Sequence, residues 1–411
     1  MVMINPEDTS AFLKYSPTET LMPQPETLEL SKQKSKLIIG IPKEVTFQEN
    51  RIALVPEAVG LLAQKGHRIL IESEAGKIAH FPDTEFSEMG GEIVSTAEEA
   101  YQADIILKVA PPTSEEISLL KTHQTIISSV QLSSFKEDAF RQMIAKKITA
   151  ISFENIKDKT GQHPVIRAMS EIAGNTSIIL AAEYLSNLEY GKGIMLGGFS
   201  GIIPTEVVII GAGTVGEYAA RAAMGMGALV KIFDDSIYKL RRLQASFNNR
   251  IFTSILHPQI LLQSLKNADV VIGAIRVSDG KTSVIVTEEM VKSMKKGSVL
   301  IDVSIDQGGC FETSHLTNHS DPIFEKFGVT HYCVPNIASK VPHTASFAFS
   351  NFFAPTLLRT GEEGGIENLL RIDYGFRQGV YLYNGILTNK YMGNYFHIPS
   401  QDIDLLMAAM H

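Results

Sequence analysis

The sequence predicts an α/β protein with more than one domain, and three observations lead to that prediction. Short apolar runs rich in Ile and Val alternate with stretches that carry apolar residues at helical spacing. Near-continuous apolar strands separated by helices are typical of parallel sheets covered by helices on both faces. The chain of 411 residues is also longer than the roughly 150 residues of one ordinary domain.

Composition and charge narrow the class of protein further. The net charge of −8 leaves no basic stripe to neutralise phosphates, so we expect no nucleic-acid partner. Two cysteines, Cys310 and Cys333, form neither a disulfide framework nor a metal-ligand spacing, which predicts no metal and a reducing, cytoplasmic setting. The N-terminus lacks the features of a secretory signal, and no apolar run approaches the ~20 residues that span a bilayer, so we expect no membrane segment.

The first predicted elements follow residues 1–35, an N-terminal extension rich in Pro, Thr, Glu and Ser. From Lys36 onward, strands are predicted in KLIIGI, RILIES, DIILKVA, TIISSV and ITAISF, with helices in PEAVGLLAQKG and FKEDAFRQMIAKK. The proline-free stretch RAMSEIAGNTSIILAAEYLSNLEY then predicts a long helix that bridges two domains.

A second alternating series begins at Glu206 and predicts strands in EVVII, ALVKIFD, DVVIGAI and GSVLIDV. Beyond THYCVPN the alternation stops, and TASFAFSNFFAPTLLRTG indicates a helix lined with aromatic residues. We expect the tail to His411 to be helical, to contain no strand and to pack back on the first domain.

A dinucleotide-binding pattern opens the second series. Gly211, Gly213 and Gly216 form G-x-G-x-x-G directly after a predicted strand and at the start of an alanine-rich helix. The helix N-terminus offers unpaired N–H groups to a pyrophosphate. The next strand ends in Asp234, where a carboxylate would bond the ribose hydroxyls, and Asp235 would repel a 2′-phosphate, so NAD is favoured over NADP. Arg241 and Arg242 are interpreted as a solvated helix face.

These residues, with three other segments, resemble the alanine dehydrogenase and nicotinamide nucleotide transhydrogenase family. The segments are GIPKEVTFQENRIALVPEAVGLLAQKGH, RAMSEIAG, and LIDVSIDQGGCFE with VPNIASKVPHTAS behind it. The resemblance covers roughly residues 37–351 and lies closer to the alanine dehydrogenases.

The resemblance implies two Rossmann-like domains with a cleft between them. The substrate domain would be discontinuous, residues 36–164 with 344–411, and the NAD-binding domain would be residues 165–343. The implied reaction is NAD-dependent oxidative deamination of L-alanine to pyruvate and ammonia, or its reverse. A homo-oligomer, hexamer or dimer, is expected.

Two cations are candidates for substrate binding. Arg51 follows the first strand in a polar loop and matches the family arginine that holds the substrate carboxylate, a task suited to bidentate geometry; the alternative is a surface arginine. Lys108 ends an otherwise apolar strand and matches the family's substrate lysine, and the alternative is a side chain that extends past the sheet edge. The family often has a second lysine two positions on, where this chain has Ala110.

The run GSVLIDVSIDQGG contains two aspartates with different expected roles. Asp302 lies inside the strand and is expected to be structural, bonded to nearby backbone. Asp306 lies beyond the carboxyl end of the strand, where ligands bind in open parallel sheets, and matches the family aspartate needed for turnover. Ser170 matches a serine near the cofactor phosphates, and Asn336 matches an asparagine at the cleft.

One position departs from the alanine dehydrogenase pattern. Gln131 stands where the family has a histidine that carries protons, and an amide cannot titrate. Asp306 alone, with a raised pKa, or His343 could take that role. Transhydrogenases also lack this histidine, so two alternatives stay open: the soluble NAD(H)-binding subunit of a proton-translocating transhydrogenase, and a non-catalytic NAD-binding regulator.

Overall fold

The computed structural model describes residues 34–130, 137–247, 250–276 and 282–409. Its strands are β1 Ile38–Ile41, β2 Arg68–Glu72, β3 Glu92–Val94, β4 Ile105–Leu107, β5 Thr125–Ser128, β6 Thr149–Ser152, β7 Glu206–Ile210, β8 Leu229–Asp234, β9 Phe252–Ile255, β10 Val270–Gly273, β11 Val299–Asp302, β12 Ile323–Lys326, β13 Val329–Tyr332, β14 Val380–Tyr383 and β15 Ile386–Leu387.

The helices alternate with these strands through most of the described chain. They are α1 Pro56–Gln64, α2 Asp83–Glu88, α3 Ala97–Ala100, α4 Ser114–Leu119, α5 Glu137–Ala145, α6 Pro164–Ser186, α7 Thr214–Gly225, α8 Ile237–Ser246, α9 Pro258–Asn267, α10 Glu288–Lys292, α11 Pro342–Glu362, α12 Ile366–Ile372, α13 Tyr374–Arg377, α14 Lys390–Phe396 and α15 Ile403–Ala409. Among the described helices, none is both long and apolar enough to cross a bilayer.

The strands form two separate sheets, which confirms the predicted α/β class with two helix-flanked sheets. The first sheet has the order β15-β14-β6-β5-β4-β1-β2-β3, and the second has the order β12-β13-β11-β10-β7-β8-β9. Six parallel strands of each sheet follow the doubly wound order 3-2-1-4-5-6, while β12, β14 and β15 pair antiparallel at the edges. The order reverses between β1 and β4 and between β7 and β10, so ligand crevices are expected at the carboxyl ends of these four strands.

The expectation that the C-terminal tail contains no strand is wrong. Strands β14 and β15 form a hairpin that extends the first sheet beyond β6. Its turn is Asn384-Gly385, with φ of 48° and 79°, the conformation that an Asn-Gly hairpin turn adopts. The helical stretches around it hid this signal, although the tail does pack on the first sheet as expected.

Two helices carry the chain between the sheets. The long helix α6 leads from the first sheet to the second, and α11 leads back. Helix α11 packs on both α1 and α6, and its Phe349 and Phe353 contact Phe153, which follows β6. The first turns of α11 also hold the segment after Arg51, because the Ser346 and Ser350 hydroxyls accept from the N–H groups of Ile52 and Val55.

Candidate active site

The glycine loop between β7 and α7 has the shape that a dinucleotide requires. Gly211 has a φ of +117°, and a Cβ on it would lie 2.4 Å from the Ala274 carbonyl oxygen. A Cβ on Gly216 would lie 1.9 Å from the Gly211 oxygen, so helix and loop touch there. A Cβ on Gly213 would meet nothing within 4 Å, and no side chain caps the N-terminus of α7. The open space at Gly213 and the uncapped amides of α7 therefore fit a pyrophosphate group.

Asp234 lies at the end of β8 and is almost fully buried. Its Oδ2 accepts from the Ala212 N–H at 2.7 Å, and its Oδ1 accepts from the Ser236 N–H at 2.8 Å. The carboxylate thus fixes the glycine loop against the second sheet. Its predicted contact with the ribose stays a prediction.

Arg242 lies on an exposed face of α8, as interpreted, and also reaches the glycine loop. The side chain is exposed, but its Nη2 donates to the Ala212 carbonyl oxygen at 3.3 Å. Arg242 therefore supports the glycine loop from the side of α8. Asp235 is exposed beside this loop.

Helix α6 brings Ser170 to the nucleotide loop. A Cβ on Gly174 would lie 2.5 Å from the Val215 carbonyl oxygen in the first turn of α7, so α6 and α7 cross in close contact at this point. Ser170 lies four residues before Gly174 and therefore on the same face of α6. Its predicted role beside the phosphates stays a prediction.

Arg51 is buried, with a side chain held in a fixed orientation, so the surface alternative does not apply. Its Nε donates to Glu49 Oε1 at 2.7 Å and its Nη2 to Glu49 Oε2 at 2.5 Å. The Phe349 ring lies 5.2 Å from the guanidinium carbon, and Nη1 contacts the Met169 sulfur at 3.5 Å. Burial acts to raise the pKa of Glu49, but the Arg51 guanidinium outweighs it and the pKa lies below its usual value.

Asn336 joins Arg51 to Asp306 across the two sheets. Its backbone is left-handed, with a φ of 55°, and its Nδ2 donates to Glu49 Oε2 at 3.0 Å. Its backbone N–H donates to Asp306 Oδ1 at 2.8 Å. A continuous chain of hydrogen bonds thus runs from Arg51 through Glu49 and Asn336 to Asp306.

Asp302 positions the turn that carries Asp306, which confirms its expected structural role. Asp306 lies in a 3-10 segment, Val303–Gln307, directly after β11, and Gly308 ends that segment with a φ of 99°. The Asp302 carboxylate accepts from three groups, the Ser304 N–H at 3.0 Å, the Cys310 N–H at 3.2 Å and the Ser314 hydroxyl at 2.7 Å. Burial raises the pKa of Asp302 to about 6.

Asp306 is exposed to solvent beyond the carboxyl end of β11, and its Oδ1 accepts from the Asn336 N–H. Desolvation by the surrounding protein raises its pKa above the ordinary value, while the Asn336 N–H, Arg51 and Arg276 act in the opposite direction. Asp306 is therefore a carboxylate that takes up a proton more readily than one in water.

Lys108 is fully buried and paired, so it does not extend past the sheet edge. Its Nζ lies 2.6 Å from Glu116 Oε1 and 3.4 Å from Glu44 Oε2. Glu44 also accepts from the Val109 N–H at 2.5 Å. Burial raises the pKa of Glu44 to about 7, although Lys108 acts to lower it. The ammonium thus has two carboxylate partners already, and its predicted contact with substrate stays a prediction.

The structure gives no support to His343 as a proton carrier in the cleft. Its ring stacks on Phe81 at 4.4 Å, and its Nδ1 lies 2.8 Å from the Ala79 carbonyl oxygen. Gln131, the other residue considered for this role, lies outside the described residues. No group of three or more His, Cys, Asp or Glu side chains in the described part of the chain could hold a metal ion.

Sequence reasoning missed three charged residues of the cleft. Glu49 clamps Arg51, Glu154 follows β6, and Arg276 follows β10. Glu154 and Arg276 interact electrostatically with each other and with Asp306. Glu154 and Arg276 could have been found from the sequence, because both lie just beyond the carboxyl end of a strand, where ligands bind in parallel sheets. The pairing of Glu49 with Arg51, two residues on, carries no such signal.

The two sheets, the glycine loop and the cleft define the class of protein: a two-domain dehydrogenase with an NAD-binding Rossmann-like fold. Comparison with known proteins makes this specific. The family model "Alanine dehydrogenase/PNT, N-terminal domain" matches residues 40–173, and "Alanine dehydrogenase/PNT, C-terminal domain" matches residues 177–390.

Similar proteins agree with the family match. An alanine dehydrogenase of Staphylococcus saprophyticus is 35% identical over 369 residues, which cover 90% of this chain and 99% of that protein. A solved L-alanine dehydrogenase superposes with a TM-score of 0.83 at 34% identity, covering 88% of this chain and 99% of the other. A transhydrogenase structure from Sinorhizobium meliloti, at 24% identity and a TM-score of 0.73, covers 86% of this chain and 99% of the other and shares the fold. The chain belongs to the alanine dehydrogenase/PNT family and is an enzyme of the amino-acid dehydrogenase class.

Proposed function

We propose that the protein catalyses the reversible, NAD-dependent oxidative deamination of L-alanine to pyruvate and ammonia. The observation that carries this proposal is the hydrogen-bond chain Arg51–Glu49–Asn336–Asp306. It sets a cation for the substrate carboxylate and a carboxylate for proton transfer at a fixed separation in one cleft. A small amino acid offers the matching carboxylate and amine on a single carbon.

Arg51 is the anchor for the substrate carboxylate. Glu49 occupies the Nε and Nη2 side of the guanidinium, so Nη1, which contacts the Met169 sulfur, is the nitrogen that would bind the substrate carboxylate. Hydrogen bonds between a guanidinium and a carboxylate are charge-assisted and directional. The Glu49 clamp also fixes the orientation of Arg51, so little side-chain entropy is lost when the substrate binds.

The nucleotide loop is the anchor for NAD. The residues that would hold it are the amides after Gly211 and Gly213, with Asp234 and Ser170 beside them. Bound NAD supplies the acceptor for the hydride that leaves the substrate Cα. The carboxyl ends of both sheets face the cleft that contains Asp306, so substrate and nicotinamide would meet there.

Asp306 is the base of the proposed reaction. Because its pKa is raised, it becomes an effective base only above the pH at which an ordinary aspartate ionises. We therefore expect deamination to be slow in acid and to accelerate as pH rises through that pKa.

The assay that tests the proposal mixes the protein with NAD and L-alanine at alkaline pH and follows NADH absorbance. Wild type forms NADH, whereas Arg51→Ala and Asp306→Asn form little. The matched controls Arg141→Ala and Asp138→Asn change exposed side chains of α5 and keep the wild-type rate.

A different outcome would overturn the proposal. Absence of NADH formation, and of pyruvate amination with NADH and ammonium, in a protein that binds NADH would exclude deamination. It would leave the transhydrogenase subunit and the NAD-binding regulator as the alternatives.

A further inference from the structure

A second carboxylate, Glu154, lies at the carboxyl end of the first sheet, bonded to the last described residue before Gln131. Strands β5 and β6 are parallel, with Ser128 opposite Ser152, so Val130 and Glu154 lie side by side two residues further on. The Val130 N–H donates to Glu154 Oε2 at 3.1 Å, which fixes the carboxylate at the carboxyl end of the first sheet. Gln131 is the next residue in the sequence, and its amide cannot titrate.

Charged groups of both domains face Glu154. Arg276 and Arg51 attract its carboxylate, and Asp306 repels it. His163, at the N-terminus of α6, lies against the backbone carbonyls of Ile156 and Glu154. The electrostatic contacts of Glu154 thus include Arg51 and Asp306, the two residues assigned to the substrate, as well as Arg276.

The environment of Glu154 also suits proton transfer. Its side chain is half-buried in the cleft. Desolvation raises its pKa and Asp306 raises it further, while the Val130 N–H, Arg276 and Arg51 act to lower it. Two neighbouring carboxyls with raised pKa values can hold and release protons in turn.

We propose that Glu154 is a second proton-carrying residue of the reaction, working with Asp306 in a chain that has glutamine at the family's histidine position. This assignment rests on the proposed function and adds to it. With Glu154 and Asp306 together, the substrate amine and the attacking water each have their own base, whereas Asp306 alone would have to serve both.

The proton steps balance with two carboxylates. Glu154 takes one proton from the alanine ammonium, and the Cα–H electron pair then leaves as hydride to NAD, which forms a substrate iminium. Water adds to the Cα carbon and gives a proton to Asp306, forming the carbinolamine. Glu154 returns its proton to the nitrogen, the C–N bond breaks as ammonia leaves, and Glu154 takes the hydroxyl proton as pyruvate forms. The two protons held at the end pass to solvent.

The test is Glu154→Gln, which keeps an oxygen to accept from the Val130 N–H but cannot carry a proton. We expect kcat for alanine deamination to fall by about 10²–10⁴-fold, the usual size of general acid–base catalysis. The acid side of the pH–rate profile should become less steep, with the KM for alanine and the NADH affinity unchanged. Glu154→Asp, with its carboxylate one methylene further back, should keep an acid limb as steep as that of wild type, at an intermediate rate.

Controls separate this assignment from the proposed function. Glu137→Gln removes an exposed carboxylate of α5 and should leave the rate and the profile unchanged. If wild type turns over alanine and Glu154→Gln has the same rate and the same pH–rate profile, the assignment of Glu154 is overturned while the proposed function stands. A wild type that binds NADH but turns over no alanine overturns the proposed function, and the assignment with it. If Glu154→Gln does not fold, a Glu154→Asp variant with the wild-type rate and the wild-type acid limb also overturns the assignment.

Discussion

At the scale of single residues, the two buried cations of the first domain differ in what they can offer a ligand. Glu49 holds the Nε and Nη2 atoms of Arg51, and Nη1 contacts the Met169 sulfur. Lys108 is enclosed by Glu44 and Glu116. A buried ion pair gives up the hydration of both charges, so breaking one partner leaves an uncompensated charge. The structure thus shows a structural contact for Lys108, and its contact with substrate stays a prediction.

Substitution of Lys108 distinguishes these roles. In Lys108→Met, two buried carboxylates lose their cation, and we expect the free energy of unfolding to fall by about 3–5 kcal/mol. Urea denaturation measures this loss, and steady-state kinetics of the folded variant measure the KM for alanine. The double variant with Glu116→Gln should recover part of the stability. Unchanged stability with a strongly raised KM would show instead that Lys108 binds the substrate.

Glu44 predicts a pH dependence of stability. Its pKa is raised in the folded state to about 7, so between pH 4.5 and 7 the folded state binds more protons than the unfolded state. Ionisation of Glu44 therefore destabilises the fold as pH rises through this window. Relative to wild type, Glu44→Gln should become more stable between pH 5 and pH 8, as measured by urea midpoints. A difference between variant and wild type that does not vary with pH would contradict the raised pKa.

At the scale of elements, the long apolar strands of both sheets and the glycine loop were predictable because their signals are local. The short or half-exposed strands β3, β9 and β12 were missed because few of their residues are buried. Within the site, Asp306 was predictable from its position after a strand. The contacts of Asn336 with Glu49 and of Glu154 with Val130 join distant parts of the chain, so no local pattern specifies them.

The glycine loop gives a prediction at this scale, since two of its glycines are needed for different reasons. Gly216→Ala places a Cβ against backbone, so we expect a lowered melting temperature. Gly213→Ala places a Cβ in open space, so the melting temperature should hold while NADH affinity falls, because the added methyl lies where the pyrophosphate approaches. Thermal unfolding and NADH fluorescence titration of both variants check this pair. Normal NADH affinity in Gly213→Ala would place the cofactor elsewhere.

At the scale of the whole molecule, the cleft geometry depends on contacts between the loop before Arg51 and the second domain. Gln48 Oε1 accepts from the His319 N–H at 2.7 Å, and the Asn50 N–H donates to the Ser339 hydroxyl at 3.0 Å. The Ser339 hydroxyl in turn donates to the Gln48 carbonyl oxygen at 2.8 Å. These bonds hold Arg51 in register with Asp306, so the site depends on how the two domains meet.

The predicted homo-oligomer can be tested on an apolar surface of the second domain. The connection from α6 to β7 exposes Leu188, Phe199 and Ile203, with exposed fractions of 91%, 61% and 87%. Exposed apolar side chains grouped along one connection are typical of association surfaces. Leu188→Glu with Ile203→Glu should lower the mass measured by light scattering, whereas Leu405→Glu, exposed on α15, should not. A wild type that is monomeric would contradict the prediction.

In the proposed reaction, hydride passes from the Cα of L-alanine to NAD at the site that contains Arg51 and Asp306. The most direct measurement supplies L-alanine deuterated at Cα together with NAD and determines the mass of the reduced cofactor. We expect NADH that carries the deuterium from wild type, and little reduced cofactor from Asp306→Asn. Reduced cofactor without deuterium, or none from a protein that binds NADH, would contradict the proposed reaction.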